Sequence, residues 1–245
     1  MRRGILLSGA LLGTVVLLAL AFSRLRELEP VMNQSEAWQA RLLILDAGHG
    51  GEDGGAVSMT GASESQINLA IVLRLRDVLG LYGVDPVLLR EEDISLHDES
   101  ASTLREKKRS DLKHRVAAVE AAEGGTLLSI HQNTYTQSQY HGTHVFYAPT
   151  EGSRELAEHF QSSIKSALQP DNERAVKQIP DTVYIMNHVS CPAVLIECGF
   201  LTNPEEEAML RDGNYQCKLV AVVAAAWLTA EQAEGPRQPD AALRP

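Results

Sequence analysis

The sequence predicts a single α/β domain: a mainly parallel, twisted sheet of about six strands, covered by helices on both faces and preceded by an N-terminal hydrophobic segment. Two observations carry this prediction. From Arg41 onward, short apolar runs alternate with segments whose apolar residues recur at helical spacing. Runs such as "LLIL" and "AVLI" are apolar at every position, as strands buried on both faces must be. The 245 residues, 44% hydrophobic and 22% charged, suffice for one well-buried domain with appendages, and no internal repeat divides them.

The elements follow in order. "RLLILDA" (41–47) reads as a buried strand. "SESQINLAIVLRLRDVLGLYG" places Ile67, Ile71, Leu75, Val78 and Leu79 on one helical stripe, with Gly83 as its stop. "VDPVLLRE" is a second strand, starting near Pro86. "LREKKRSDLKHRVAAVEAA" is a helix ended by Gly124 and Gly125, and "TLLSIHQN" is a third strand. "GTHVFYA" is a fourth strand and "SRELAEHFQSSIKSAL" a helix. "TVYIMNH" and "AVLIECGF" read as two more strands, and "GNYQCKLVAVVAAAWLTAEQ" as a closing helix. This delimits a catalytic domain over 41–232 and a disordered tail over 233–245.

Ahead of the domain, Arg2 and Arg3 precede an uncharged stretch from Gly4 to Phe22, long enough to span a bilayer. Residues 1–22 therefore read as a signal peptide or, given the length of the apolar run, a signal anchor. Residues 23–40 are a polar linker. The flanking arginines place the N-terminus inside and the domain outside, in a membrane-anchored or secreted position in the cell envelope.

A net charge of -10 excludes a sequence-independent nucleic-acid binder. The three cysteines, Cys191, Cys198 and Cys217, are too few and too late for a disulfide framework and fit no zinc knuckle. They read as small apolar residues.

Sheets of this kind place their sites beyond the carboxyl ends of the strands. There the first strand delivers His49, the third His131, and the last carries Glu197; Glu64 opens the first helix. Two imidazoles and a carboxylate, with a second carboxylate nearby, suit a catalytic zinc site with one position left for water. The carboxylate outside the metal's coordination can serve as general base. His97, His114, His141, His144, His159 and His188 are read as solvated or supporting, with His141 and His144 near enough to line the site.

Four stretches, "ILDAGHGGEDGGAV", "SES" heading "INLAIVLRLRDVL", "LLSIHQN" and "PAVLIECGFLTNPEEEAML", occur in the order and spacing of the zinc-dependent N-acetylmuramoyl-L-alanine amidases, which residues 41–230 resemble. The resemblance implies zinc held by His49, Glu64 and His131, with Glu197 as the catalytic carboxylate. It implies hydrolysis of the amide between N-acetylmuramic acid and the L-alanine of the peptidoglycan stem. A single domain behind a hydrophobic segment, with "ECGF" and no wall-binding repeats, is most similar to the sporulation and germination enzymes. Those act in the space around the forespore, preparing muramic-δ-lactam, and this implies a deacetylase or an accessory lipoprotein as partner. The chain departs from the family in having Ala47 and Gly54 where proline is common. It also has Gln132 after the second histidine, where a small residue is usual and where a longer one would reshape the cleft.

Softer assignments complete the site. Asp46 would orient a ligand histidine or cap a turn. Asn133 would meet substrate or close a loop. Arg174 resembles the family's basic residue at the cleft border, where it would meet a peptide carboxylate or stay solvated. Glu205, Glu206 and Glu207 read as a solvated helix start. Two other functions stay open on the same residues: a zinc peptidase or carboxypeptidase, and a non-catalytic peptidoglycan-binding module, for which Glu197 would have no use.

Overall fold

The computed structural model describes residues 42–234; the hydrophobic segment, the linker and the last eleven residues lie outside this range. Six strands form one sheet: β1 (Leu43–Ala47), β2 (Val87–Leu88), β3 (Thr126–Asn133), β4 (His144–Tyr147), β5 (Lys177–Gln178) and β6 (Ala193–Phe200), in the order β2-β1-β3-β6-β4-β5. All neighbours run parallel except β4 and β6, which are antiparallel. The central strands β1, β3 and β6 contain the apolar runs Leu43–Leu45, Leu127–Leu128 and Ala193–Ile196. Leu43, Ile44, Leu45, Leu127, Leu128, Val194 and Ile196 are each at most 1% exposed, because helices cover both sides of them.

The described helices are α1 (Glu64–Gly80), α2 (Leu104–Ala121), α3 (Ser153–Leu168), α4 (Tyr184–His188), α5 (Pro204–Arg211) and α6 (Gly213–Glu234). α1 and α3 each pack on α6 and on strands of the sheet. The stripe of α6 is Leu219, Val220, Val223, Ala224 and Trp227, all buried at i, i+1, i+4, i+5 and i+8. Among the described residues no helix is long and apolar enough to cross a membrane. On the opposite face, Val119 of α2 and Ile185 and Met186 of α4 close a core over Ile44, Leu127, Ala193 and Leu195. Side chains alternate along a strand, so Asp46, His131 and Glu197 point to this second face.

Caps explain two helix starts. Thr103 and Glu106 form a reciprocal capping box at α2, and Asn203 Oδ1 accepts from the amides of Glu205 and Glu206 at α5, with Pro204 in the first turn. Gly83, at φ 78°, turns the chain after α1, and Val84 N donates back to Leu79 O.

The segment "TVYIMNH" is a correction: it is not a strand but holds the short helix α4. Its residues favour β-structure, yet its buried Ile185 and Met186 and the following Val189 have a helical spacing onto the core. Asn187 Nδ2 donates to the carbonyls of Pro180 and Val183, and Val189 N to Ile185 O, closing the turn. The fifth strand is instead Lys177–Gln178, two exposed residues on the sheet edge without hydrophobic patterning. The second strand is also shorter than its apolar run, because only Val87 and Leu88 pair along β1.

Glu206 and Glu207 are a second correction, at 6% and 5% exposure. Glu206 accepts from the amides of Gly142 and Phe200, and Glu207 from Ser58, Thr60 and Arg211. Each buried carboxylate spends its lone pairs tying a loop to α5. The cysteines are free, with Cys198 buried, Cys191 partly so and Cys217 exposed.

Candidate metal centre

The carboxyl edge of the sheet brings His49, Glu64 and His131 together, each offering one donor atom within 4.8 Å of the others. Glu64 Oε1 lies 3.3 Å from His49 Nε2 and 2.9 Å from His131 Nδ1. A tetrahedral ion with bonds of about 2.0–2.1 Å needs donors about 3.3 Å apart, so two nitrogens and one oxygen at these separations fit an ion of the zinc type. Calcium and magnesium would require more oxygens.

Local structure explains why these atoms meet. His49 sits at φ 62°, the one non-glycine in the left-handed region among the described residues. Gly48 approaches the His131 ring so closely that a Cβ there would stand 2.2 Å from Cε1 and Nε2. At Gly55, φ 67°, a Cβ would stand 2.6 Å from Glu64 Oε2 and 2.7 Å from His49 Cδ2. Glu64 is 4% exposed at the first position of α1, where a helix N-terminus favours a carboxylate. Its Oε2 accepts from Ala56 N, and its Oε1 from Gln132 N and, at longer range, Asn68 Nδ2.

Electrostatics follow from this geometry. Burial favours a neutral His49 ring, but hydrogen bonds to Asp53 and Glu64 prevail and raise it to about 9. Against the opposing effect of burial, the two histidines hold Glu64 far below the usual carboxylate range. These are cation-favouring carboxylates closed around two imidazoles, the arrangement a divalent ion would replace.

Glu197 pairs with His131 across β3 and β6, so both side chains project together from one face. Its Oε2 has no hydrogen-bond partner among the described residues although it is out of contact with solvent. Burial first, and the Glu64 charge after it, push its carboxyl up to about 7, against the pull of the two histidines. A half-buried carboxyl with that proton affinity and an uncommitted oxygen is suited to taking and returning a proton near neutrality. His144 is the other cross-strand neighbour of Glu197, buried, with its Nε2 3.0 Å from Ala175 O.

Other expected residues lie differently. Asp46 hydrogen-bonds to neither histidine among the described residues; it pairs with Arg115 and accepts from Ser129 Oγ at 2.6 Å. The residue that orients His49 is Asp53, whose Oδ2 is 3.1 Å from Nδ1 and also 3.1 Å from Lys108 Nζ. Its position four residues after His49 on the glycine loop was the available signal. Gln132 does not enter the cleft: it is 3% exposed and its Nε2 donates to Asn68 Oδ1 at 3.0 Å. Asn133 ends β3 with its carbonyl accepting from Leu201 N. Arg174 donates from Nε to His141 O, and its guanidinium lies 4.8 Å from the Phe200 ring centre, beyond the end of β6.

Known proteins resemble this chain over most of its length. The family model described as N-acetylmuramoyl-L-alanine amidase matches residues 43–228. The germination-specific N-acetylmuramoyl-L-alanine amidase of Bacillus subtilis is 31% identical over 214 residues, which cover 87% of this chain and 89% of that protein. The CwlD amidase of Clostridioides difficile, solved in complex with the GerS lipoprotein, superposes with a TM-score of 0.75 at 36% identity, covering 79% of this chain and 99% of that one. An N-acetylmuramoyl-L-alanine amidase from Clostridium difficile 630 gives a TM-score of 0.70 at 29% identity over 80% of this chain and all of that one.

Proposed function

The chain belongs to the N-acetylmuramoyl-L-alanine amidase family, and from that premise we propose that it is a zinc-dependent peptidoglycan amidase acting in spore cortex maturation or germination. The observation that carries the zinc reading is the convergence of His49 Nε2, Glu64 Oε1 and His131 Nδ1 beside the uncommitted Oε2 of Glu197. Bound by these three atoms, Zn2+ would polarise the scissile carbonyl and lower the pKa of water to about 7.

The protein's own groups do the rest. Glu197 takes the proton of the attacking water, and the water oxygen bonds to the lactyl carbonyl carbon of N-acetylmuramic acid. Glu197 then gives that proton to the L-alanine nitrogen as the C–N bond breaks, releasing the stem peptide as a free amine. Asp53 holds the His49 ring through Nδ1, and the buried Asn68 and Gln132 hold Glu64 at the edge of the sheet. Asn133 and Arg174 are the proposed substrate contacts, with the Arg174 cation suited to a stem-peptide carboxylate.

The spore role is supported by the germination-specific relative. Cortex lactam formation would need a deacetylase to act on the product. The solved complex with a lipoprotein supports an accessory partner of that kind. The proposed location is extracytoplasmic, with residues 1–22 as signal or membrane anchor.

Digestion of defined muropeptides with metal analysis tests the reading. Intact stem peptides bearing a new free L-alanine amine are expected, lost with a chelator and restored by Zn2+. Shortened stems would mean a peptidase, and no cleavage would mean a binding module. Glu197→Gln should keep zinc and lose about 10²- to 10⁴-fold in turnover, as for a general base; full activity in that variant refutes the mechanism.

A further inference from the structure

Beneath the metal loop lies an arginine that the reaction does not use. Arg115 of α2 is 2% exposed, and each of its five N–H donors finds an acceptor. Nε donates to Asp111 Oδ2 at 2.8 Å. Nη1 donates to Asp46 and to Ala47 O at 3.0 Å, and Nη2 to His49 O at 2.7 Å and Asp111 Oδ1 at 3.4 Å. A second buried arginine, Arg90, donates from Nε to Ala47 O at 2.8 Å and from Nη2 to Gly48 O at 3.1 Å and Ser65 O at 2.8 Å. The carbonyls of Ala47, Gly48 and His49 are thus all held by arginines, and among the described residues only Arg115 holds that of His49.

Stability alone does not account for this arrangement, because a well-packed apolar side chain generally serves a buried position at least as well as an ion pair. Charge does not account for it either, since a guanidinium near a cation site opposes the cation, and Asp46 and Asp111 are there to offset it. What an apolar residue could not do is grip backbone carbonyls in a fixed fork. His49 needs such a grip, because it holds a left-handed conformation that side-chain-bearing residues rarely adopt. That conformation aims Nε2 at Glu64 Oε1.

We infer that Arg115 is a positioning residue for the metal centre: by holding the His49 carbonyl it fixes the backbone from which the His49 ring reaches Glu64 and His131. This role rests on the zinc reading proposed above. Arg115→Lys isolates it, since the charge beside Asp46 and Asp111 is kept while the planar fork is lost.

The experiment measures zinc affinity of the full-length protein by competition with a chromogenic chelator, alongside thermal unfolding of the metal-free form. Arg115→Lys is expected to unfold cooperatively and to raise the zinc Kd tenfold or more, a change of about 1.4 kcal/mol. A smaller rise in Kd, with or without a lower unfolding temperature, overturns the role and leaves Arg115 a structural residue. If Arg115→Lys does not fold, the paired Asp46→Asn/Arg115→Gln change removes that buried ion pair and leaves Asp111 accepting from Ser95 Oγ and Leu96 N, and the same tenfold criterion applies. Wild-type protein that binds no zinc would overturn the metal reading and this role together. Unchanged affinity in the variant of a zinc-binding wild type overturns this role alone.

Discussion

Gly48→Ala probes the metal centre through a single methyl group. Gly48 is not in the left-handed region, so its backbone accepts alanine. The added Cβ would stand 2.2 Å from His131 Cε1 and Nε2, where ordinary contact begins at 3.4 Å, so the two must separate by 3.4 − 2.2 = 1.2 Å. The loop cannot supply that movement. Gly48 N donates to Ile130 O, and Gly48 O accepts from Arg90 and Asn68. The ring must therefore move, and its Nδ1 leaves the place 2.9 Å from Glu64 Oε1. Metal sites tolerate about ±0.2 Å in bond length, so a displacement of this size is several times too large. Overpacking should cost about 1–3 kcal/mol of stability. Misplacing a ligand by about 1 Å should cost on the order of 100-fold in activity, with a comparable loss of zinc affinity. Chelator competition measures the affinity, thermal unfolding the stability and muropeptide digestion the turnover. Zinc affinity within threefold of wild type in a folded Gly48→Ala protein would refute the reasoning.

Asp53→Ala removes the acceptor on His49 Nδ1 and should weaken zinc binding about 10- to 100-fold while changing the unfolding temperature little, since Asp53 is partly exposed; equal affinity would show that the loop alone orients the ring. Phe160→Ala, at a fully buried position on α3, should cost about 3–5 kcal/mol in urea unfolding and leave zinc affinity unchanged. In metal-free protein the Glu197 carboxyl titrates at about 7 against an ordinary value of 4.5. The folded state therefore binds the extra proton, and this group's contribution to stability falls as pH rises from 4.5 to 7 and levels off above that. Urea unfolding at pH 5 and pH 8 should show that fall as the difference between wild type and Glu197→Gln; parallel curves would contradict it.

Much of this was legible along the chain. β1, β3 and β6 each carry a short apolar run, Leu43–Leu45, Leu127–Leu128 and Ala193–Ile196, and a run of that kind has few fates other than a covered central strand. The ends of those strands carry His49, His131 and Glu197, so the rule that sites gather at the carboxyl edge brought them together as candidates, and the family resemblance gave them roles. Where the reading failed, the deciding contacts were distant. Val183 to Met186 favour β-structure locally, but Ile185, Met186 and Val189 meet the core only as a turn of helix. Lys177 and Gln178 form a strand because β4 offers them an edge, not because of their side chains. Glu206 and Glu207 look solvated beside Pro204 until the loops around Gly142 and Ser58 are brought to them.

The sequence by itself determined the α/β class and the central strands, because strand and helix periodicity are properties of neighbouring residues; the proposed ligands were named by strand-end position together with the family resemblance. Only the tertiary structure decided that Asp53, not Asp46, faces His49, that Gln132 supports Glu64 from the core, and that Arg115 grips a loop 66 residues away. Those partners are chosen by how helices cross the sheet, and local periodicity carries no record of that packing.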